Sequence, residues 1–182
     1  NVAIGYQAGT AITTGGFNVF VGTEAGATST EATDSVAIGY QALNLNTTGT
    51  NNTAVGHQAL SQNTDANGNV AVGKQSLRVN TTGDNNTAVG FQSLKGNTTG
   101  IRNIGLGYQA IEIADEENDN LAIGYEALAG SVAGGEFNVA IGNYSLDALT
   151  SADNNVAIGY NAGTAITSTS DKNILIGSRG PR

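Results

Sequence analysis

A five-residue pattern that ends in glycine recurs eleven times along this chain of 182 residues. Its consensus is asparagine, an aliphatic residue, alanine, a second aliphatic residue and glycine, as in residues 1–5 and 155–159. The closing glycines are 17 residues apart in eight steps and 18 apart in the other two: Gly5, Gly22, Gly39, Gly56, Gly73, Gly90, Gly107, Gly124, Gly142, Gly159 and Gly177. A period this short holds one coil of a solenoid. The sequence therefore predicts an all-β fold, a parallel β-roll or β-solenoid of about eleven 17-residue coils, with residues 1–182 as a single domain.

The pentapeptide predicts a strand, because β-branched residues dominate it and a glycine ends it. The residue before the glycine is Ile, Val or Leu in all eleven copies, and it shares a strand face with the residue two places earlier. The residue between them is alanine in eight copies and is never polar. We assign the aliphatic face to the interior of the coil and the alanine face to a contact with another copy of the chain. On this assignment, Ala88→Asp separates the chains.

The second half of each coil predicts an opposing wall. Leu or Ile stands four residues after the glycine in seven coils: Leu43, Leu60, Leu77, Leu94, Ile111, Leu128 and Leu146. We expect the residues before it to form a short second strand, with stacked amides in a ladder along Gln7, Gln41, Gln58, Gln75, Gln92 and Gln109. The remainder is rich in the turn formers Asn, Thr and Gly. Each 18-residue step is expected to add its residue there, around residues 134–136 and 168–170.

Charge and composition exclude several partners. Fifteen acidic residues against seven basic ones give a net charge of −8, and no basic stripe suited to nucleic acid occurs. No run of 18 apolar residues and no secretory leader occurs, so we expect no membrane contact by this segment. Because the chain opens on the first residue of a repeat, we interpret it as a fragment of a longer fibrous protein. Cysteine is absent, which excludes disulfides and thiol chemistry.

We predict no catalytic, cofactor-binding or metal-binding residue. His57 is the only histidine and occupies a variable position after a glycine, so we interpret it as a surface residue. With one histidine and no cysteine, the usual nucleophile and base pairs cannot be assembled. An acidic stretch offers oxygen ligands for Ca²⁺ but lacks the EF-hand spacing, and a solvated loop is the favoured interpretation: Glu112, Asp115, Glu116, Glu117 and Asp119.

Two loop features have both a structural and a functional interpretation. Six glycosylation sequons begin at Asn46, Asn51, Asn80, Asn85, Asn97 and Asn143, although the repeat itself generates most of them. A threonine column fills one loop position in eight of ten intervals: Thr13, Thr30, Thr47, Thr64, Thr81, Thr98, Thr150 and Thr167. A regular file of threonines suits an ice-binding surface, whereas a structural turn is the favoured interpretation.

The repeat resembles a known family. The motif SVAIG at residues 35–39, with its sibling NVAIG, resembles the head repeat of YadA-type trimeric autotransporter adhesins. The longer forms at residues 51–60 (NNTAVGHQAL) and 80–94 (NTTGDNNTAVGFQSL) are similar to repeats of bacteriophage tail fibres. The resemblance covers essentially the whole chain. It implies that each chain winds a parallel β-roll, that three chains assemble as a homotrimer, and that the fibre is extracellular, at a cell surface or in a virion tail.

Two classes of function follow. The first is a structural and adhesive rod without enzymatic activity, whose partners are its own copies and a host surface or matrix receptor. The alternative is a monomeric ligand-binding β-solenoid that takes ice or an extended glycan. A polysaccharide-cleaving enzyme ranks third, because it requires a pair of carboxylates at a groove that the sequence does not locate.

Overall fold

The computed structural model describes residues 1–113, 115–130, 135–166 and 170–178. These residues form eleven short strands and no helix: β1 Val2–Ile4, β2 Val19–Val21, β3 Val36–Ile38, β4 Thr53–Val55, β5 Val70–Val72, β6 Thr87–Val89, β7 Ile104–Leu106, β8 Leu121–Ile123, β9 Val139–Ile141, β10 Val156–Ile158 and β11 Ile174–Ile176. All are parallel and lie in one sheet in chain order. The predicted β-solenoid is therefore confirmed. Ten steps of about 4.8 Å give a rod about 48 Å long.

The register follows the repeat. Val70 pairs with Thr87 and Ala71 with Ala88, each 17 residues further along the chain. Across an 18-residue step the pairing is preserved, since Leu121 lies beside Val139. The extra residue is therefore accommodated outside the strands, as predicted. Within the ranges predicted for the extra residue, 134–136 and 168–170, positions 134 and 168–169 lie outside the described residues.

The two faces of the sheet are the reverse of our assignment. The alanine column lies inside the coil, and Ala37 and Ala88 have no exposed surface in a single chain. The aliphatic side chains point outward, so that Ile38 is 41% exposed and Ile123 is 36% exposed. The coil is narrow, and a methyl group fits opposite the leucine wall where Val or Ile would collide with it. Ala88→Asp would therefore bury a carboxylate in the core of a single chain, so this substitution disturbs the fold and does not test a contact between chains.

The leucine wall is confirmed, but the second strand is not. Leu43 and its six counterparts are fully buried. The backbone between glycine and leucine turns instead of extending, with φ of 53° at Gln41 and 52° at Leu43. Alternating turn conformations direct successive amides to opposite neighbours. The N–H of Gln58 donates to the Tyr40 carbonyl in the preceding coil, and the N–H of Leu60 donates to the Ser76 carbonyl in the following one. The coils are thus bonded on this side without a second sheet.

One exchange of large and small residues occurs inside the core. Phe20 replaces alanine in β2 and is fully buried. Gly26 in the same coil and Gly9 in the preceding coil replace the leucine of the opposing wall. A β-carbon built on Gly26 would lie 2.6 Å from the Phe20 ring, and one on Gly9 would lie 2.9 Å from it. The ring therefore occupies the space that leucine fills elsewhere.

A buried ladder of asparagines closes most coils. Asn86 directly precedes β6, and its Oδ1 accepts a hydrogen bond from the Asn103 main-chain N–H at 2.9 Å, one coil on. Its Nδ2 donates to the Gly100 carbonyl at 2.7 Å, at the far end of the same coil. Asn52 and Asn69 make the same pair of contacts. Each of these three asparagines therefore joins the start of its coil to the end and links two coils.

Candidate interaction surface

The outward side of the sheet forms a surface that we call the outer face. Exposure alternates along the coils. The residue two before the strand is exposed, or half-buried at Gly68 and Asp119, and the residue directly before the strand is buried from Asn18 to Asn155. The first and third strand residues are outward. The exposed residue that follows the closing glycine continues the alternation, as Tyr40 does after β3. The outer face therefore has two central columns, a leading edge two residues before the strand and a trailing edge two residues after it.

The two central columns carry no charge. The first strand residues are Val2, Val19, Val36, Thr53, Val70, Thr87, Ile104, Leu121, Val139, Val156 and Ile174. The third strand residues are Ile4, Val21, Ile38, Val55, Val72, Val89, Leu106, Ile123, Ile141, Ile158 and Ile176. Exposed apolar side chains gathered in one stripe are characteristic of a contact surface.

The two edges differ in composition. The leading edge comprises Phe17, Asp34, Asn51, Gly68, Asn85, Arg102, Asp119, Phe137, Asn154 and Lys172. The trailing edge comprises Tyr6, Thr23, Tyr40, His57, Lys74, Phe91, Tyr108, Tyr125, Asn143, Tyr160 and Ser178. The trailing edge is therefore the more aromatic of the two.

Aromatic rings on the trailing edge stack from coil to coil. The ring centroids of Phe91 and Tyr108 are 5.2 Å apart, and those of Tyr108 and Tyr125 are 4.8 Å apart with an angle of 4° between planes. Lys74 lies over the Phe91 ring at 5.9 Å. Stacked rings cover one another's faces, so Tyr108 presents its edge outward. A sugar stacks on a ring face, so this row is better suited to side-chain packing than to glycan binding.

Two groups near the trailing edge have shifted pKa values. The Tyr125 hydroxyl bonds to the Glu126 carboxylate, and this hydrogen bond is the main cause that raises the pKa of Tyr125 to about 12. The pKa of Asp147 is also raised, chiefly because the carboxyl is desolvated by burial. Main-chain amides of Asp147 and Ala148 oppose that shift. The negative charge of the Glu126 carboxylate also contributes to the raised pKa of Asp147.

The predicted amide ladder is confirmed for five glutamines. The side-chain nitrogen of Gln58 donates to Gln41 at 2.9 Å, and that of Gln75 donates to Gln58 at 3.1 Å. The ladder continues through Gln92 and Gln109. The Gln41 amide in turn donates to the carboxylate of Glu24 at 2.7 Å. The ladder is a structural link between coils and not a site.

The threonine column forms part of the hydrogen bonding between coils. The hydroxyls of Thr13, Thr30, Thr47, Thr64 and Thr81 each donate to the carbonyl of the threonine in the next coil, at 2.9–3.1 Å. The Thr98 hydroxyl donates to the Asp115 carbonyl instead. The hydroxyl hydrogens are therefore already used within the chain. Thr167 lies outside the described residues.

The acidic stretch is divided among separate partners. Glu112 forms an ion pair with Lys95 at 3.4 Å. Asp119 accepts two hydrogen bonds from Arg102 at 2.7 Å, which lower the pKa of the Asp119 carboxyl. The Glu117 carboxylate turns back onto the main-chain N–H of Asp115. Within the part of the chain that the structure describes, no three acidic or histidine side chains gather as a metal site.

The remaining sequence candidates divide by burial. Asn46, Asn80 and Asn97 are fully buried and belong to a second asparagine ladder, so the folded chain does not expose them for glycosylation. Asn51 and Asn85 are exposed on the leading edge, and Asn143 is exposed on the trailing edge. His57 is exposed, as expected, and lies against Tyr40 with centroids 5.2 Å apart.

The fold and this surface define a class: a parallel β-solenoid of short coils, with a complete interior and an apolar outer side. Comparison with known protein families, with curated proteins and with solved structures finds no match. Among the described residues, no helical segment has the length and apolar character that a membrane-spanning helix needs.

Proposed function

We propose that this chain is a rod segment of an extracellular trimeric fibre, a surface adhesin or a phage tail fibre, in which the chains pack through their outer faces. The observation that carries the proposal is the uncovered pair of central columns, which hold 22 residues and no charge in eleven coils. The interior is already filled by alanine, leucine and asparagine, so these outward residues are not needed to complete it.

The size of the outer face suits a stable contact between chains. Its length is about 48 Å, and six residue spacings from edge to edge give a width of about 20 Å. The face therefore covers about 1,000 Å² per chain, whereas a standard stable interface covers about 800 Å² per partner. The number of three chains rests on the resemblance of the repeat to trimeric adhesins.

The rod would project a receptor-binding region, with a host surface or matrix receptor as the outside partner. A stiff element suits this role, because every coil is bonded to its neighbours along the whole length. The alternative of a monomeric solenoid for ice or glycan has less support, since the threonine hydroxyl hydrogens are used within the chain and the stacked rings present their edges.

The molar mass in solution tests the proposal. Light scattering behind a sizing column is expected to give three times the chain mass of 18.3 kDa. Ile123→Asp places a charge on the outer face, where the side chain is 36% exposed, and is expected to shift the mass towards the single chain. The matched control is Ile113→Asp, because Ile113 is 51% exposed and belongs to neither the central columns nor the edges.

A monomeric unsubstituted chain would refute the proposal. So would an oligomer that Ile123→Asp and Ile113→Asp leave equally intact, since that result would place the contact elsewhere. Circular dichroism of both variants checks that each remains folded.

A further inference from the structure

Tyrosine is the most easily oxidised kind of side chain in this protein. The chain contains no cysteine, methionine or tryptophan, and it has six tyrosines. The side chains that ordinarily react first with an oxidant are therefore absent. One-electron oxidation of a phenol removes an electron and the hydroxyl proton, and it leaves a radical that is shared between the oxygen and the ortho carbons of the ring.

Four of the six tyrosines are in ring contact on consecutive coils: Tyr108, Tyr125, Tyr144 and Tyr160. The rings of Tyr108 and Tyr125 are parallel, with 4° between planes and 4.8 Å between centroids. The next two contacts are edge-on, at 61° from Tyr125 to Tyr144 and 89° from Tyr144 to Tyr160. Phe91 stacks on the other side of Tyr108 and has no hydroxyl. The row therefore contains one parallel pair of phenols.

Glu126 supplies a proton acceptor for this pair. Its carboxylate accepts a hydrogen bond from the Tyr125 hydroxyl, and this bond is the main cause that raises the pKa of Tyr125 to about 12. When an electron leaves the Tyr125 ring, the hydroxyl proton can move along the same bond to the carboxylate. Tyr108 and Tyr125 are 40% and 39% exposed, so their outward edges are open to an oxidant.

We propose that Tyr108 and Tyr125 form a site of oxidative coupling, at which a peroxide activated by a haem peroxidase joins the two rings. Each ring loses one electron and one proton, and the Tyr125 proton leaves by way of Glu126. The two radicals form a carbon–carbon bond between one ortho carbon of each ring, and the ortho hydrogens then move to the phenol oxygens. The two electrons and two protons reduce one hydrogen peroxide to two molecules of water. The site lies within one chain and does not depend on the fibre proposal.

The backbone holds the two rings at a suitable distance. Tyr108 follows β7 and Tyr125 follows β8, and these strands are paired in register with a spacing of about 4.8 Å. The rings need only rotate about their side-chain torsions until two ortho carbons meet, and exposed side chains rotate in picoseconds to nanoseconds. The new bond would tie one coil to the next and raise the midpoint of urea unfolding, because a cross-link restricts the unfolded chain.

Hydrogen peroxide with a catalytic amount of a haem peroxidase tests the site on the whole chain. Cleavage of the unfolded product after lysine, arginine and glutamate places Tyr108 in peptide 103–112, Tyr125 in peptide 118–126, and Tyr144 and Tyr160 in peptide 137–172. We expect the main product to join peptides 103–112 and 118–126, with the summed mass less two hydrogen atoms and with dityrosine fluorescence. On a denaturing gel it should migrate as a single chain of 18.3 kDa.

Conservative variants identify the reacting rings. Tyr108→Phe and Tyr125→Phe each remove one phenol and keep a ring that the same column already accepts at Phe91, so each should abolish the joined peptide pair. Tyr40→Phe is the matched control, because Tyr40 is 43% exposed but its ring neighbour is His57 and not a tyrosine. This control should leave the yield unchanged. Circular dichroism checks that all three variants remain folded.

Glu126→Gln tests the proton acceptor, and glutamine already occupies the same column at Gln109. It should slow the coupling at equal peroxide concentration and leave the joined peptides the same; an unchanged rate would overturn the role of Glu126. Unfolding in urea should remove the preference for this pair, because the stack is then lost. A folded chain that does not couple, or a product that joins other tyrosines, joins two chains or forms as selectively in urea, would overturn the proposal.

Discussion

Asn86→Ala is expected to destabilise the fold strongly, because the side chain is fully buried and links two coils. The substitution removes the acceptor of the Asn103 N–H and one donor to the Gly100 carbonyl. Gly100 retains a bond from Asn97 at 3.0 Å, so only the Asn103 N–H is left without a partner. An orphaned buried donor costs about 1–3 kcal/mol and a lost second bond about 1 kcal/mol, which sum to about 2–4 kcal/mol.

The chain itself supplies a graded control for this substitution. Ser35 occupies the same column, and its hydroxyl accepts the Asn52 N–H at 3.2 Å. Asn86→Ser should therefore satisfy Asn103 and lose only the bond to Gly100, for a cost of about 1 kcal/mol plus the lost packing. Asn85→Gly is the surface control, since glycine already stands in that column at Gly68 with φ of 68°.

Urea unfolding followed by circular dichroism, at one fixed chain concentration, measures the free energy of unfolding for the series. The expected order of stability is wild type close to Asn85→Gly, then Asn86→Ser, then Asn86→Ala. If Asn86→Ala fell within about 0.5 kcal/mol of wild type, or if serine were no better than alanine, the asparagine ladder would not hold the coils together as argued.

Two further predictions concern stability. Gly90→Ala should lower the free energy of unfolding by about 2–6 kcal/mol in a thermal or urea unfolding assay. The added β-carbon would lie 2.2 Å from the Gly107 carbonyl oxygen, and the φ of Gly90 is 134°. Gly16→Ala is the control, because a β-carbon there has open space and should change the stability little. The pKa of Asp147 is raised in the fold, so the folded state binds the proton more tightly than the unfolded state does, and the ionised carboxyl destabilises the fold. That destabilisation decreases as the pH falls through the raised pKa, so Asp147→Asn should stabilise the chain at neutral pH and give a smaller gain in acid. A gain in the free energy of unfolding that does not depend on pH would contradict the argument.

The repeat period was sufficient to predict the fold. Strand position, parallel order and register all follow from glycines 17 or 18 residues apart. The buried leucine wall and the glutamine ladder were also predicted, because regular spacing places like residues above one another. What the period did not reveal was the turn between glycine and leucine, which has left-handed conformations at Gln41 and Leu43. The sign of it in the sequence is glycine at the leucine position of three other coils, Gly9, Gly26 and Gly163.

Which face of the strand points inward was predicted wrongly, although the sequence contained the signal. The alanine column admits no polar residue, whereas Thr53 and Thr87 occur in the aliphatic column. Tyr40, two residues beyond Ile38, continues the aliphatic column onto a surface position. Hydrophobicity alone favoured the larger side chains for the interior, but the width of a 17-residue coil admits only the smaller ones opposite leucine.

The exchange of large for small residues inside the sheet is satisfied within one chain. Phe20 is matched by glycine at two positions of the facing wall and has no exposed surface. On the outer side, Phe17 and Phe137 remain 83% and 52% exposed, and their φ angles of 60° and 59° are left-handed. A lone coil gains no packing from these two rings, so their positions are better explained by a contact outside the chain than by folding. The coils are therefore not interchangeable in sequence, although their backbones repeat.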